Sequence, residues 1–239
     1  MSVVSSTNVT VLVDDLLAEE GVSRGALPAH GLGLLVECKL DDGVKRRLLV
    51  DGGPSRYVLE HNASALGLEL KALNAAVACL WSSHHVAALL DLARHKPPWR
   101  SLYMPPLPKA KPGEPSRLRE FPALLVPMSS PVYNERALLI SSPRGYVAVV
   151  ACSVYGVEVA LRALEIILKR LDGGLAVIVG GFNLSTLDAY GLRLLSKYAK
   201  RRGAEVVPLH STSLEAREKL ARAFGLEEVP GVGTEVEVA

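Results

Sequence analysis

Residues 77–92 read Val-Ala-Cys-Leu-Trp-Ser-Ser-His-His-Val-Ala-Ala-Leu-Leu-Asp-Leu, and they predict the end of a strand, a polar turn and a helix in succession. The apolar run at residues 75–80 has the length and flanks of a buried strand, and an apolar segment with helical character begins at Val86. The polar residues between them are Ser82, Ser83, His84 and His85. Because α/β folds keep their chemistry at the carboxyl ends of strands, this turn predicts a functional site.

The rest of the chain predicts further strands and helices. We predict strands at residues 9–13, 32–39, 45–50, 137–140, 146–152, 175–179, 205–209 and 236–238. Helices are predicted at residues 57–66, 86–92, 157–171, 186–202 and 213–224, and residues 18–27 are predicted to be a loop. Polar residues recur where these strands end, and we expect them to line one cleft. They are Asp51, His84, Ser153, Asn183 and His210, with Ser82 and His85 beside His84.

The character of the sequence changes between residues 97 and 131. This segment has prolines at positions 97, 98, 105, 106, 108, 112, 115, 122, 127 and 131. It is too rich in proline for central strands and too apolar for a disordered linker. We predict irregular edge structure that acts as a lid, inserted in a single domain that spans residues 1–239.

Composition limits the classes of protein to consider. Of the 239 residues 49% are hydrophobic and 22% charged, and the net charge is only +2, so neither disorder nor a polyanion-binding surface is indicated. The first eight residues lack a signal-peptide pattern, and no run approaches about 20 apolar residues. We therefore expect no membrane association, no nucleic-acid partner and a cytoplasmic location. The chain has 15 prolines and no glutamine, which favours a thermophilic source.

The cysteines and the remaining histidines give less information. Cys38, Cys79 and Cys152 are odd in number, widely separated and set in apolar runs, which is typical of buried thiols in a reducing compartment. His30, His61 and His95 belong to no evident constellation and are predicted to be surface or strand-end residues.

The order of the motifs resembles that of the metallo-β-lactamase superfamily, and within it the branch of dihydropterin-type ribofuranosylaminobenzene phosphate synthases. The segments that carry the resemblance are Val13-Asp14-Asp15, His30-Gly31-Leu32, Val50-Asp51-Gly52-Gly53, residues 81–92, Ala151-Cys152-Ser153-Val154, Gly180-Gly181-Phe182-Asn183-Leu184 and His210-Ser211-Thr212-Ser213. The resemblance implies an α/β fold of the four-layer αββα type, in which two mixed sheets pack face to face with helices outside.

The same resemblance implies a depleted metal site, because the departures fall on the family's metal ligands. Without a gap, Ser82 stands at the first histidine of the family's His-x-His-x-Asp-His motif, His84 at the second, and Val86 and Ala87 at the Asp-His pair. With a one-residue deletion, His84 and His85 stand at the two histidines and alanines at that pair. Val154 and Asn183 replace two further histidines, and His210 is retained.

Three hypotheses for the function follow, and the first is favoured. The chain is a binding or regulatory protein whose metal site is largely lost, with no resident cofactor and a small-molecule or anionic ligand. Alternatively, it is an enzyme, a hydrolase or a pterin-phosphate synthase-like transferase, with one zinc or manganese ion on His84 and His210 and a neighbour such as Asp51 or His85. Its substrate would then be an ester, a phosphate or a pterin-like molecule. Lastly, it is a structural protein that forms a homo-oligomer.

Overall fold

The structure, a computed structural model, describes residues 3–95, 97–107, 109–111, 113–128 and 133–239. Six strands form the first sheet, in the order β12-β1-β2-β3-β4-β5. They are β1 (Val4–Val13), β2 (Gly33–Leu40), β3 (Lys45–Asp51), β4 (Leu73–Val77), β5 (Trp99–Tyr103) and β12 (Glu235–Val238). The β3–β4 and β4–β5 pairs are parallel and the others antiparallel, so the sheet is mixed.

The second sheet repeats this plan with strands from the second half of the chain. Its order is β11-β10-β9-β8-β7-β6, and only the β9–β10 and β10–β11 pairs are parallel. The strands are β6 (Ser116–Arg117), β7 (Ala123–Met128), β8 (Glu135–Ser142), β9 (Gly145–Val150), β10 (Leu175–Gly180) and β11 (Glu205–Pro208).

Six helices lie within the described part of the chain. They are α1 (Glu19–Ser23), α2 (Arg56–Ala65), α3 (Ser83–Arg94), α4 (Val157–Leu171), α5 (Ala189–Arg202) and α6 (Leu214–Phe224). Buried residues of α2 and α3 pack on one face of the first sheet, and those of α4, α5 and α6 pack on the second. Inward-facing residues of both sheets, including Val36, Val77, Leu138 and Val179, form the core between them. The predicted αββα sandwich is therefore confirmed.

Most predicted elements are present, with three corrections. Residues 18–27 contain the five-residue helix α1, which is too short to show a helical period. The strand predicted to end at Leu80 ends at Val77, because the Cys79 N–H donates to the Asp51 carboxylate instead of to a neighbouring strand. As a result α3 begins at Ser83, and His84 and His85 lie in its first turn.

The third correction concerns the proline-rich segment. β5 and β6 are edge strands, as predicted, but β7 pairs with both β6 and β8. β7 tolerates Pro127 because β6 pairs only with Leu124 and Leu125, so no neighbour needs the missing N–H at position 127. Pro108, Pro112 and residues 129–131 of the predicted lid lie outside the described residues. No helix in the described ranges has both the length and the apolar character needed to cross a membrane.

Candidate metal centre

Four histidines from three parts of the chain meet at the edge of the sandwich where β3, β4, β9, β10 and β11 end. His30 precedes β2, His84 and His85 open α3, and His210 follows β11. The centroid of the His84 ring lies 4.9 Å from that of His30, 4.7 Å from that of His85 and 5.1 Å from that of His210. The sequence prediction that His30 belongs to no cluster is therefore wrong. We call these four residues the histidine cluster.

His85 is the most deeply placed member of the cluster. It is fully buried, and its Nδ1 lies 2.8 Å from Asp51 Oδ2, while Asp51 Oδ1 accepts a hydrogen bond from the Cys79 N–H at 2.7 Å. Burial lowers the pKa of His85, but the adjacent Asp51 carboxylate outweighs it and raises the pKa to about 9. The Nε2 atom of His85 lacks a well-formed hydrogen bond among the described residues, although the ring also interacts with the Cys152 thiol. One nitrogen is therefore fixed and the other is open.

Asp15 binds the Nδ1 atoms of two histidines, as Asp51 binds the Nδ1 atom of His85. Its Oδ1 lies 2.8 Å from His30 Nδ1 and its Oδ2 lies 3.0 Å from His210 Nδ1. Burial raises the pKa of Asp15, but the hydrogen bonds from these rings overcome that effect and lower it to about 2. Because both Nδ1 atoms are engaged, each ring has only Nε2 left as a ligand atom.

His84 differs from its neighbours because no carboxylate in the described part of the chain makes a hydrogen bond to it. Its ring lies beside the Ser82 hydroxyl, which is 2.8 Å from Nδ1. Burial, followed by the positive charge of His85, His210 and His30, lowers the pKa of His84 to about 4. The His84 ring is therefore neutral at pH 7, and a neutral ring is the form that binds metals.

Backbone conformation at this edge is unusual at the ends of four strands, β3 of the first sheet and β9, β10 and β11 of the second. Asp51, Ser153, Asn183 and Ser211 all have positive φ angles, of 53°, 55°, 49° and 61°. Left-handed conformations cost about 1–2 kcal/mol for residues other than glycine, and they cluster at functional sites. Strain at four neighbouring strand ends supports the assignment of this edge as the functional one.

Two glycines allow the elements to approach closely enough for the cluster to form. A Cβ atom on Gly31 would lie 2.2 Å from the His84 carbonyl oxygen, so only glycine lets the His30 loop contact α3. A Cβ atom on Gly181 would lie 2.4 Å from the carbonyl oxygens of both Ala151 and His210. Gly181 therefore keeps the ends of β9 and β11 together.

Cys152 adds a sulfur donor to the cluster, directly after β9. Burial raises the pKa of this thiol, but interactions with His210, His85 and Ser211 outweigh burial and lower the pKa to about 7. The turn that carries it is fixed by the buried Glu135, whose carboxylate accepts hydrogen bonds from the N–H groups of Cys152, Ser153 and Val154. A free, half-buried thiol among histidines is the environment of a reactive or metal-binding cysteine.

The donors form two overlapping groups that could hold a metal ion, His30–His84–His210 and His85–Cys152–His210. Within each group the ligand atoms lie within 4.8 Å of one another. Zinc bonds of about 2.0–2.3 Å place neighbouring ligands roughly 3.3–3.8 Å apart, so small side-chain movements would close either group on an ion. The open Nε2 atom of the buried His85 and the carboxylates behind His85 and His210 are typical of metal ligands. The residues therefore fit a metal ion.

The remaining predicted site residues lie beside the histidine cluster or at neighbouring strand ends. Asp51 and Ser82 contact His85 and His84. Ser153 is buried and its hydroxyl donates to the Gly181 carbonyl, so it links the ends of β9 and β10. Asn183 is exposed, and its N–H donates to the Ser211 hydroxyl.

Sequence reasoning missed three residues of the centre: His30, Asp15 and Cys152. Asp15 and His210 are separated by 195 residues, so no local pattern predicts their contact. The available indication was the sequence motifs, because Val13-Asp14-Asp15 and His30-Gly31-Leu32 both fall within the segments that carry the family resemblance. Cys152 was predicted to be a buried structural thiol, and it lies instead beside two histidines, only partly buried.

A sandwich of two mixed sheets between helices, with histidines at one edge, defines the chain as a protein of the metallo-β-lactamase fold. Among solved structures, Tm1679, a metal-dependent hydrolase of the β-lactamase superfamily, is similar over 98% of this chain and 99% of its own, with a TM-score of 0.69 and 18% identity. At this identity the likeness establishes the fold alone.

Two further similar structures have lower TM-scores. An N-acyl homoserine lactone hydrolase, 11% identical, is similar over 75% of this chain and 94% of its own, with a TM-score of 0.42. The chemotaxis sensor ODP, 13% identical, is similar over 95% of both chains, also with a TM-score of 0.42. No family model matches the sequence, and no curated protein sequence matches it.

Proposed function

We propose that this protein binds one transition-metal ion at the histidine cluster and uses it to hydrolyse an ester or a phosphate ester. The observation that carries the proposal is the open Nε2 atom of the fully buried His85, whose Nδ1 is held by Asp51. A buried polar atom without a partner costs free energy, and a metal ion would remove that cost.

The proposal is limited to one ion because His210 belongs to both donor groups. While Asp15 binds His210 Nδ1, only the Nε2 lone pair is free, and one lone pair serves one ion. The hypothesis that the metal site is largely lost is therefore limited to the loss of a second ion. The family's Asp-His pair is replaced, but His30, His85 and Cys152 supply other donors at the same edge.

Hydrolysis is the reaction class that this site favours. A site with three protein ligands leaves a position for water or substrate, as in catalytic zinc centres. A bound ion would supply Lewis acidity that polarises a substrate oxygen and lowers the pKa of a water molecule. The chain's own residues hold the ligands in place: Asp51 orients His85, and Asp15 orients His30 and His210. Tm1679, which shares the fold, is a metal-dependent hydrolase.

A second candidate function is binding or regulation without turnover. It is favoured by the apolar side chain of Val86, which is buried in the core at the position where the ungapped alignment with the family motif places a metal-binding aspartate. Neither donor group in the described ranges includes a carboxylate. The narrower resemblance to the phosphate synthase branch stays a prediction.

Turnover assays distinguish these candidates. We expect zinc-loaded protein to hydrolyse members of a panel of aryl esters, phosphomonoesters and phosphodiesters, with activity lost in His210→Ala and kept in His95→Ala. His95 is the matched control because it is exposed at the far end of α3. A protein that turns over no substrate, with or without bound zinc, would support the second candidate, and a protein that binds no metal would contradict the proposed hydrolysis.

A further inference from the structure

We infer that the ion occupies the inner donor group, His85–Cys152–His210, and that the Cys152 thiolate makes the site selective for thiophilic metals. This inference rests on the proposed function and identifies which metals the site accepts. The two groups share His210, so a single ion can occupy only one of them at a time. The inner position offers one sulfur and two imidazoles, and the outer position offers three imidazoles.

Burial distinguishes the two positions. His85 and His210 are 0% and 1% exposed, whereas the side chain of His30 in the outer group is 72% exposed. An exposed ring, even one held at Nδ1 by Asp15, loses more rotamer freedom on binding than a ring that is fully buried. The inner group is therefore the better organised of the two.

Hydrogen bonding behind the ligands favours the same position. In the inner group the two histidines are held by different carboxylates, Asp51 for His85 and Asp15 for His210. In the outer group His30 and His210 share Asp15, and His84 contacts only the Ser82 hydroxyl among the bonds seen in the described residues. Carboxylate partners fix the ring and increase its basicity as a ligand.

The open nitrogen of His85 is an independent observation for the inner group. His84 and His30 have hydrogen-bond partners, but His85 Nε2 is buried without one in the described part of the chain, and its donor group includes the Cys152 sulfur. An ion at the inner position would engage both the open nitrogen and the thiol.

The composition of the inner group predicts which metals bind. Thiolate sulfur with two imidazole nitrogens is a ligand set for zinc, cobalt and cadmium, whereas manganese and magnesium prefer oxygen. We expect zinc to displace cobalt from the site and a tenfold excess of manganese to leave cobalt in place.

Cobalt(II) titration of the full chain tests the inference. Thiolate coordination gives a sulfur-to-cobalt charge-transfer band in the near ultraviolet, and we expect this band at about one cobalt per chain. It should persist in His30→Ala and in Cys38→Ser, the matched control, because Cys38 is a buried free cysteine outside both donor groups. In Cys152→Ser the band should disappear.

A second measurement on the wild-type chain removes the dependence on variants that fail to fold. Zinc should protect Cys152 from alkylation by iodoacetamide at least tenfold, as read by peptide mass spectrometry. Cobalt that binds without the charge-transfer band, or zinc that leaves alkylation unchanged, would overturn the inner position while the single-metal proposal stands. A chain that binds neither ion would overturn both proposals.

Discussion

At the scale of single residues, His85 is the most informative member of the histidine cluster because its two ring nitrogens have different surroundings. Nδ1 is bound by Asp51 and Nε2 is open, although both are buried. Asp51 is in turn fixed by the Cys79 N–H. Asp51 therefore holds a proton on Nδ1, and because the pKa of the ring is about 9, a metal ion that binds Nε2 would displace the second proton.

Asp51→Asn should weaken zinc binding about 10- to 100-fold, the usual effect of losing a carboxylate behind a metal-binding histidine. The amide can still accept from Cys79, but it then presents an N–H to His85 Nδ1 and favours the tautomer that carries its proton on Nε2. Competition against a chromogenic chelator measures the affinity. Asp91→Asn, on the exposed side of α3 beside His95, should change it less than twofold. Equal affinities in the two variants would argue against this role for Asp51.

The buried Asp14–Arg217 ion pair supports the histidine cluster. Asp14 accepts hydrogen bonds from the His210 N–H at 2.6 Å and from the Arg217 guanidinium, which also donates to the Thr212 and Pro230 carbonyls. Arg217 is the largest fully buried side chain of the described residues. The pair fixes the backbone of His210 and joins α6 to the end of β1.

Arg217→Met should lower the free energy of unfolding by about 3–5 kcal/mol, because it leaves the Asp14 carboxylate buried without its partner. Arg24→Met is the control, since the Arg24–Glu20 pair is exposed on both sides, and its loss should cost about 1 kcal/mol or less. Urea denaturation followed by circular dichroism measures both. A loss below 1 kcal/mol in Arg217→Met would show that the buried pair contributes little.

At the scale of elements, periodicity predicted what depends on local sequence. The helix predicted at residues 157–171 matches α4 residue for residue, because its apolar residues repeat at helical spacing and Asp172 ends it in a left-handed conformation. Asp42-Gly43 is a typical turn pair between the strands predicted at residues 32–39 and 45–50, and β2 and β3 pair across it.

Element boundaries near the site could not be predicted, because side chains from distant parts of the chain set them. The end of β4 depends on Asp51, which is 28 residues from the Cys79 N–H that it binds. The start of α3 follows from that end, and so does the position of His84 and His85 within the helix. His30 was missed for a similar reason, since its partners His84 and His210 come from other strand ends.

The turn after β9 is fixed by a side-chain contact from β8 that local sequence does not predict. Glu135, at the start of β8, binds three successive N–H groups of the turn that follows β9. Burial raises the pKa of this carboxyl group, while the three N–H donors favour its charged form. Glu135 thus holds Cys152 beside the histidines.

Glu135→Gln should lower the free energy of unfolding by about 1–3 kcal/mol, because the amide NH₂ group then faces at least one backbone N–H donor. Chemical denaturation measures the change. Glu237→Gln, on the exposed face of β12, should stay within about 0.5 kcal/mol of wild type. If both variants behave alike, the Cys152 turn does not depend on the Glu135 carboxylate.

At the scale of the whole molecule, the inner donor group connects the two sheets. His85 comes from α3, which packs on the first sheet, whereas Cys152 and His210 follow strands β9 and β11 of the second. A bound ion would therefore fasten the sheets to each other at one edge. An ion that binds only the folded chain stabilises it by about 2.7 kcal/mol at a hundredfold excess over Kd.

Zinc should accordingly raise the Tm by several degrees, and EDTA should reverse the shift. Differential scanning calorimetry at fixed protein concentration measures this effect. His210→Ala should show no zinc-dependent shift, because it lacks the donor common to both groups, and His95→Ala should shift like wild type. A shift of equal size in His210→Ala would place zinc elsewhere on the molecule.

The metal content of the purified protein shows whether the histidine cluster holds an ion. Wild type and a His85→Ala, His210→Ala double variant are loaded with zinc, dialysed against metal-free buffer and analysed by inductively coupled plasma mass spectrometry, with folding checked by circular dichroism. We predict about one zinc per wild-type chain and almost none in the folded double variant. Wild type without metal, or a double variant that keeps as much zinc as wild type, would contradict the account.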